Sequence, residues 1–482
     1  MTRPAHRRRP VRPGLGLLVA VAAATPSVAR AARPTDLVGA HAYDESDVVE
    51  YYDGPAGLVR VHYSVDGPTR TILDSEDGDD IPDFVQDVAA TAEDVLLLFQ
   101  QTGFRLPLGE DEMGLEPLGG SYALDFYLVD FGGVGDGQFV TDTCSGGVCS
   151  GYMAIENDFS GYGYADLHHA VEVLTSHELF HGVQFAYTDD LPGWLSEGTA
   201  MWGEYLFDPQ SSDFLAWCDR YLEEPDRSLD RPPSGAFTGW EYGTGLYFSF
   251  LDLALGPQTM VALLEELAER GGDADLESLA VAIEAQGSTL ADSWVQFVTW
   301  NLATGDHAGA MDSYPFAEEL TEVPLSIEDY NIVDDERVYP LATVYVRVQH
   351  AGGPLYMGIV DDSTGLYVAV HPGERDGPVS DAVATWWPDG EGAVTELADL
   401  DAGSYIILMT QPRVADSSIA FDFCIGTADT LAECGLQAPE ADADTGGGDE
   451  EPGGCGCDGT GGLATGAWLS MVGLLGLARR RR

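Results

Sequence analysis

Near residue 335 the chain changes its hydrophobic period, and that change limits the architectures open to it. Upstream, apolar residues recur at helical spacing over long stretches. Downstream, short alternating or apolar runs (VYPLATVYVRVQH, PLYMGIVDD, GLYVAVH, AVATWWP, GSYIILMT) are separated by Gly, Pro and Asp. Strands repeat every two residues and helices every 3.6, so the two parts must be built differently. The downstream part predicts an antiparallel β-sandwich over 336–428. Upstream, strands expected at GLVRVHYSVDG, 121–131 and 150–159 precede helical patterns at 165–187, from about Leu195, at 241–255 and across 256–303. A further helix is expected after the acidic turn that ends near Pro82. This mixture predicts an α+β domain over 32–335 whose lower lobe is mostly α. A length of 482 residues is enough for two or three domains, since single cores rarely grow past roughly 250–300 residues.

Charge narrows the partners. The chain has no lysine, and its 22 basic residues, all arginine, face 81 acids. Seven arginines lie in residues 1–33 and four are the last four residues. Between 32 and 457 there are 12 arginines against 80 acids, a difference of −68. Such a body repels phosphate backbones and anionic lipid, which excludes nucleic acid as a partner and leaves the membrane only the C-terminal tail.

Both ends read as targeting segments. An arginine-rich start, the apolar run GLGLLVAVAAATPSVA and the small residues of SVARAA predict a signal peptide over 1–31, cleaved after Ala29 or Ala31. At the other end, an acidic Gly-rich linker (429–457) leads to a tail (458–482). Its apolar stretch, Leu463 to Ala478, is near the lower length limit for a membrane span, and RRRR would hold the cytoplasmic side. The tail resembles the MYXO-CTERM sorting signals of bacterial surface proteins, with a Gly-Cys pair, an apolar segment and an arginine cluster in order. The resemblance implies sorting machinery acting near Cys455 or Cys457, export, and display at the cell surface. In that compartment Cys144 with Cys149, and Cys424 with Cys434, are disulfide candidates, and Cys218 is left as a buried thiol.

The stretch TSHELFHGVQFAYTDDLPGWLSEGTAMWGE, 175–204, carries the chemistry. His177 and His181, four apart on a helix, can direct both rings at one point, and Glu178 sits one position round. Two neutral imidazoles and a carboxylate suit Zn²⁺ with one position left for water. TDDLPG breaks the helix, so the second one can return Glu197 toward the histidines as a third ligand. Glu204, seven residues on and on the same face, could fix an imidazole tautomer. HELFH followed by WLSEGTAMWGE resembles the gluzincin metallopeptidases. That resemblance implies a zincin-like catalytic domain with a mixed sheet and an active-site helix. It further implies zinc on His177, His181 and Glu197, Glu178 as general base, Glu204 behind the ligands, and a peptide or protein substrate. The fifteen residues between His181 and Glu197 are fewer than thermolysin-like or aminopeptidase-like members have. Aminopeptidase-type members also place a Tyr-x-x-Gly tyrosine on the oxyanion, a role that falls on Tyr242 of EYGTG, with Tyr247, His168 and His169 as substitutes. Glu156-Asn157 faintly matches the exopeptidase motif, and the strand 150–159 is expected at the sheet edge, aligning an extended peptide. A non-catalytic surface adhesin on the same scaffold is the alternative, as is a calcium-stabilised coat protein. DSEDGDDIPDF resembles a calcium loop with Asp77, Asp79 and Asp83 as oxygen ligands, and equally suits an acidic turn capping a helix.

Overall fold

The computed structural model describes residues 32–439, except 40, 77, 232–238, 329–331, 360–363, 375 and 389–392. The expected signal peptide, Asp77, most of the expected linker and the expected sorting tail, with Cys455 and Cys457, lie outside the described residues. A mixed sheet comes first. β1 (Val48–Asp53) and β2 (Val59–Asp66) pair antiparallel, and α1 (Asp83–Thr102) crosses to β3 (Leu124–Val129), parallel to β2. β4 (Gly137–Ser145) and β5 (Val148–Glu156) complete the order β1-β2-β3-β5-β4.

The edge strand is therefore β4, and the expectation for 150–159 is corrected. β5 lies between β3 and β4, with every residue from Cys149 to Glu156 buried. The cause is a two-residue hairpin. Gly146 and Gly147 both take positive φ, 66° and 84°, as the tight turn matching strand twist requires. Cys144 and Cys149 pair across it and are joined by a disulfide. GQFVTDTCS is too polar to announce itself as a strand, so folding it back displaces its more apolar partner from the edge.

Helices cover one face of this sheet. α2 (Leu167–Phe185) carries polar residues among its apolar ones yet is buried along most of its length, with Val171, Leu179, Phe180 and Val183 inaccessible. The lobe continues through α3 (Gly193–Phe207), α4 (Ser212–Leu222), α5 (Trp240–Gly243), α6 (Gly245–Leu255), α7 (Gln258–Arg270), α8 (Asp275–Ala285) and α9 (Leu290–Leu302). One core joins Phe126 and Ile155 of the sheet to Phe180, Trp202, Phe248 and Phe297 of the helices. No single helix among the described residues is long and apolar enough to cross a membrane.

Two further sheets follow, built from β6 (Ser326–Glu328), β7 (Ile332–Val338), β8 (Thr343–His350), β9 (Gly353–Ile359), β10 (Tyr367–Pro372), β11 (Ala384–Trp386), β12 (Val394–Leu400), β13 (Gly403–Thr410) and β14 (Ile419–Gly426). Their orders are β11-β10-β13-β8-β6 and β12-β9-β14-β7. All pairs are antiparallel except β6 with β8. Val346, Val348, Ile407 and Met409 face a core shared with Met357 and Phe423 of the second sheet. The alternate residues Tyr345, Ile406 and Leu408 face the helical core instead. Tyr345 Oη donates to the Val298 carbonyl at 2.7 Å, and Trp294 Nε1 to Thr410 Oγ1 at 2.8 Å. α10 (Ala428–Glu433) ends the described chain, tied to β14 by the Cys424–Cys434 disulfide. Cys218 is buried and free in α4.

The outer face of the first sheet carries a buried ionic cluster. Arg33 donates to Glu110 at 2.5 Å, Asp142 at 2.6 Å and Asp125 at 3.1 Å, and lies over the Tyr152 ring. Asp125 also meets His62 Nε2 at 2.8 Å.

Candidate metal centre

The break at 186–192 sets the geometry. α2 ends at Phe185, Pro192 precedes α3, and the two helices pack closely enough to bring Glu197 back to both histidines. One ligand atom each from His177, His181 and Glu197 lies within 4.8 Å of the others. Glu197 Oε2 is 3.3 Å from His177 Nε2 and 3.5 Å from His181 Nε2.

What lies behind the rings fixes their tautomers. His177 Nδ1 donates to Glu204 Oε1 at 2.9 Å. His181 Nδ1 donates to Gln184 Oε1 at 2.9 Å. The Gln184 amide nitrogen is committed to Ser196 O (2.7 Å) and Thr199 Oγ1 (2.8 Å), so its oxygen must face the histidine. With both Nδ1 positions protonated, both Nε2 lone pairs converge on a carboxylate oxygen. Three acceptors cannot face one another without a cation between them. Protons on the imidazoles are one solution, and a divalent metal on an N, N, O donor set is the other. The residues thus fit the expected zinc ligand set.

The charge states follow the same logic. Burial opposes a charged His177, yet the hydrogen bonds to Glu197 and Glu204 carry its pKa well above the ordinary imidazole value. His181 is raised for the same reason, against its burial, by Glu197. Burial would raise Glu197, but the two histidines hold it below the usual carboxylate range. Burial pushes Glu204 up to about 7, with His177 pulling the other way.

Glu178, on α2, reaches the edge strand, where its Oε2 accepts from the Phe139 amide at 2.8 Å. Gly182 permits this approach, since a Cβ there would stand 2.6 Å from the Phe139 ring and 2.9 Å from Pro107. Tyr242, on α5, stacks on His177 with ring centroids 5.6 Å apart and 10° between planes. Burial raises its phenol, helped by the charges of Glu197 and Glu178 and a hydrogen bond to Glu197. A cleft of about 580 Å³ reaches the centre at His177, lined also by Asp136, Glu178, Glu204, Asp213 and Tyr242 among others.

The remaining candidates are elsewhere or do other work. Tyr247 is wholly buried against Trp294 and Phe297. His168 is bonded to Asp87 at the surface. His169 lines the cleft and meets Ser212 Oγ at 3.3 Å. Glu156 accepts from the Phe131 amide and Asn157 donates to the Thr69 carbonyl, which ties loops together. Asp79 accepts from the Ile81 amide and Gln86, and Asp83 from the Glu76 amide, so both serve the turn before α1. Sequence reading did not single out Gln184, Asp213 or the β4 edge. Gln184 had one signal, a polar residue three after His181 on a helix otherwise apolar around it. No family model matches this chain, and no curated protein is significantly similar to it.

Proposed function

We propose that this chain is an exported zinc-dependent peptidase displayed at the cell surface. Residues 32–335 would be a zincin-like catalytic domain of gluzincin type, and 336–428 an accessory β-sandwich. The observation that carries the reading is the convergence of His177 Nε2, His181 Nε2 and Glu197 Oε2 with both opposite ring nitrogens engaged. Bound there, zinc would supply an activated water and polarise a peptide carbonyl. Glu178 would take and return the proton, a role supported by the tie to Phe139 N that holds its carboxylate at the edge strand. Tyr242 is the candidate donor to a developing oxyanion. β4 offers an edge on which an extended peptide can add as a strand.

The purified full chain should bind about one zinc and cleave casein or a peptide library in a chelator-sensitive way. Glu178→Gln should lower cleavage by roughly 10²–10⁴-fold with zinc content unchanged. Unaltered cleavage in that variant rejects the peptidase assignment, and zinc binding with no cleavage of any substrate favours the adhesin alternative.

A further inference from the structure

Two arginines are buried among the described residues, in opposite surroundings. Arg33 holds three carboxylates. Arg347, 9% exposed, has a guanidinium with neither a hydrogen bond nor an ion pair to another described residue, and its Nε is sealed from solvent. It sits on β8 between Val346 and Val348, whose side chains enter the core between the two sheets. The two-residue period turns Arg347 the other way, to the face where Tyr345 meets the helices. There it lines a groove of about 600 Å³, with Asp306, His307, Glu322, Val323 and Asp376.

A guanidinium largely withdrawn from bulk water, with its Nε sealed and no protein acceptor, is costly, and nothing in the composition forces it, because acids outnumber arginines 81 to 22. Three of those acids line this same groove and none of them pairs with Arg347. We propose that the groove binds a small zwitterion such as a free amino acid. Its carboxylate would lie on Arg347 and its cationic group would face Asp306, Glu322 and Asp376. The planar fork of a guanidinium matches a carboxylate in two-point contact. The three acids repel multiply charged anions such as phosphate, so an anion that binds must bring its own positive charge. The volume suits an amino acid or very short peptide. This site is separate from the metal centre, with no lining residue in common between the two cavities.

Isothermal titration of the full chain with L-arginine, argininamide, acetate and inorganic phosphate tests the proposal. L-Arginine should bind, and the other three should bind at least tenfold more weakly, since each lacks the carboxylate or the cationic group. Arg347→Met should abolish L-arginine binding and Arg347→Lys should retain part of it, each checked for an unchanged melting curve. The wild-type comparison stands even if a variant misfolds. Equal binding of arginine and argininamide, tighter binding of phosphate, or full affinity in folded Arg347→Met each overturns it.

Discussion

At the scale of single residues, the centre depends as much on what stands behind the histidines as on the ligands. Glu204 and Gln184 hold the Nδ1 atoms, and residues in such positions typically carry 10–100-fold of metal affinity. Glu204→Ala and Gln184→Leu should each weaken zinc binding by about that factor, measured by competition with a chromophoric chelator. Either variant leaving affinity unchanged would mean that its histidine is oriented some other way. The contrast between these residues shows what a sequence displays. His177, Glu178, His181, Glu197 and Glu204 stand at spacings that helix periodicity makes legible. Gln184 obeys the same periodicity, but a glutamine in a helix is ordinary, and its role depends on Ser196 and Thr199 arriving from α3.

At the scale of elements, the approach of β4 to α2 is the feature to perturb. Gly182→Ala sets two effects against each other. Alanine favours a helix by about 0.8–1 kcal/mol over glycine, whereas overpacking typically costs about 1–3 kcal/mol. The 2.6 Å and 2.9 Å approaches to Phe139 and Pro107 leave little room, so the clash should win. Gly182→Ala should lower stability in urea unfolding, and peptide turnover should fall with it as Phe139 shifts against Glu178. A gain in stability would show that the strand can give way. The helices were readable because their apolar residues repeat over several turns. β1 and β4 were not, because VVEYYD and GQFVTDTCS have weak alternation and gain their place by pairing with better strands.

At the scale of the molecule, long-range contacts decide, and these were the least visible. Arg33, His62, Glu110, Asp125 and Asp142 come from five separate segments, so no local pattern announces their cluster. Nor does strand alternation reveal that Tyr345 and Trp294 bind the later sheets to the helices. The ionic cluster has a pH signature. Burial, with Arg33 opposing it, pushes Glu110 up to about 7 from 4.5. The fold therefore holds this proton more tightly than the unfolded chain does. Its contribution is complete below about pH 4.5 and is lost as pH rises to about 7. In urea unfolding across that range, wild type should lose up to about 3 kcal/mol relative to Glu110→Gln, with no further divergence above pH 8. Parallel stability curves would show that Glu110 ionises alike in both states. Arg33→Met should be worse at every pH near neutrality, because stranding buried partners costs about 3–5 kcal/mol.

The same cluster reverses the usual behaviour of a segment outside the sheets and helices. Such segments ordinarily open locally at little cost, and their amide hydrogens exchange early. Here, releasing Arg33 would strand three buried acids, so opening this segment requires disturbing the sheet beneath it. The amides of Asp36 and Tyr43, which donate to the Arg33 and Pro34 carbonyls, should then exchange nearly as slowly as those of β3. In deuterium labelling the first described turn would behave as part of the core.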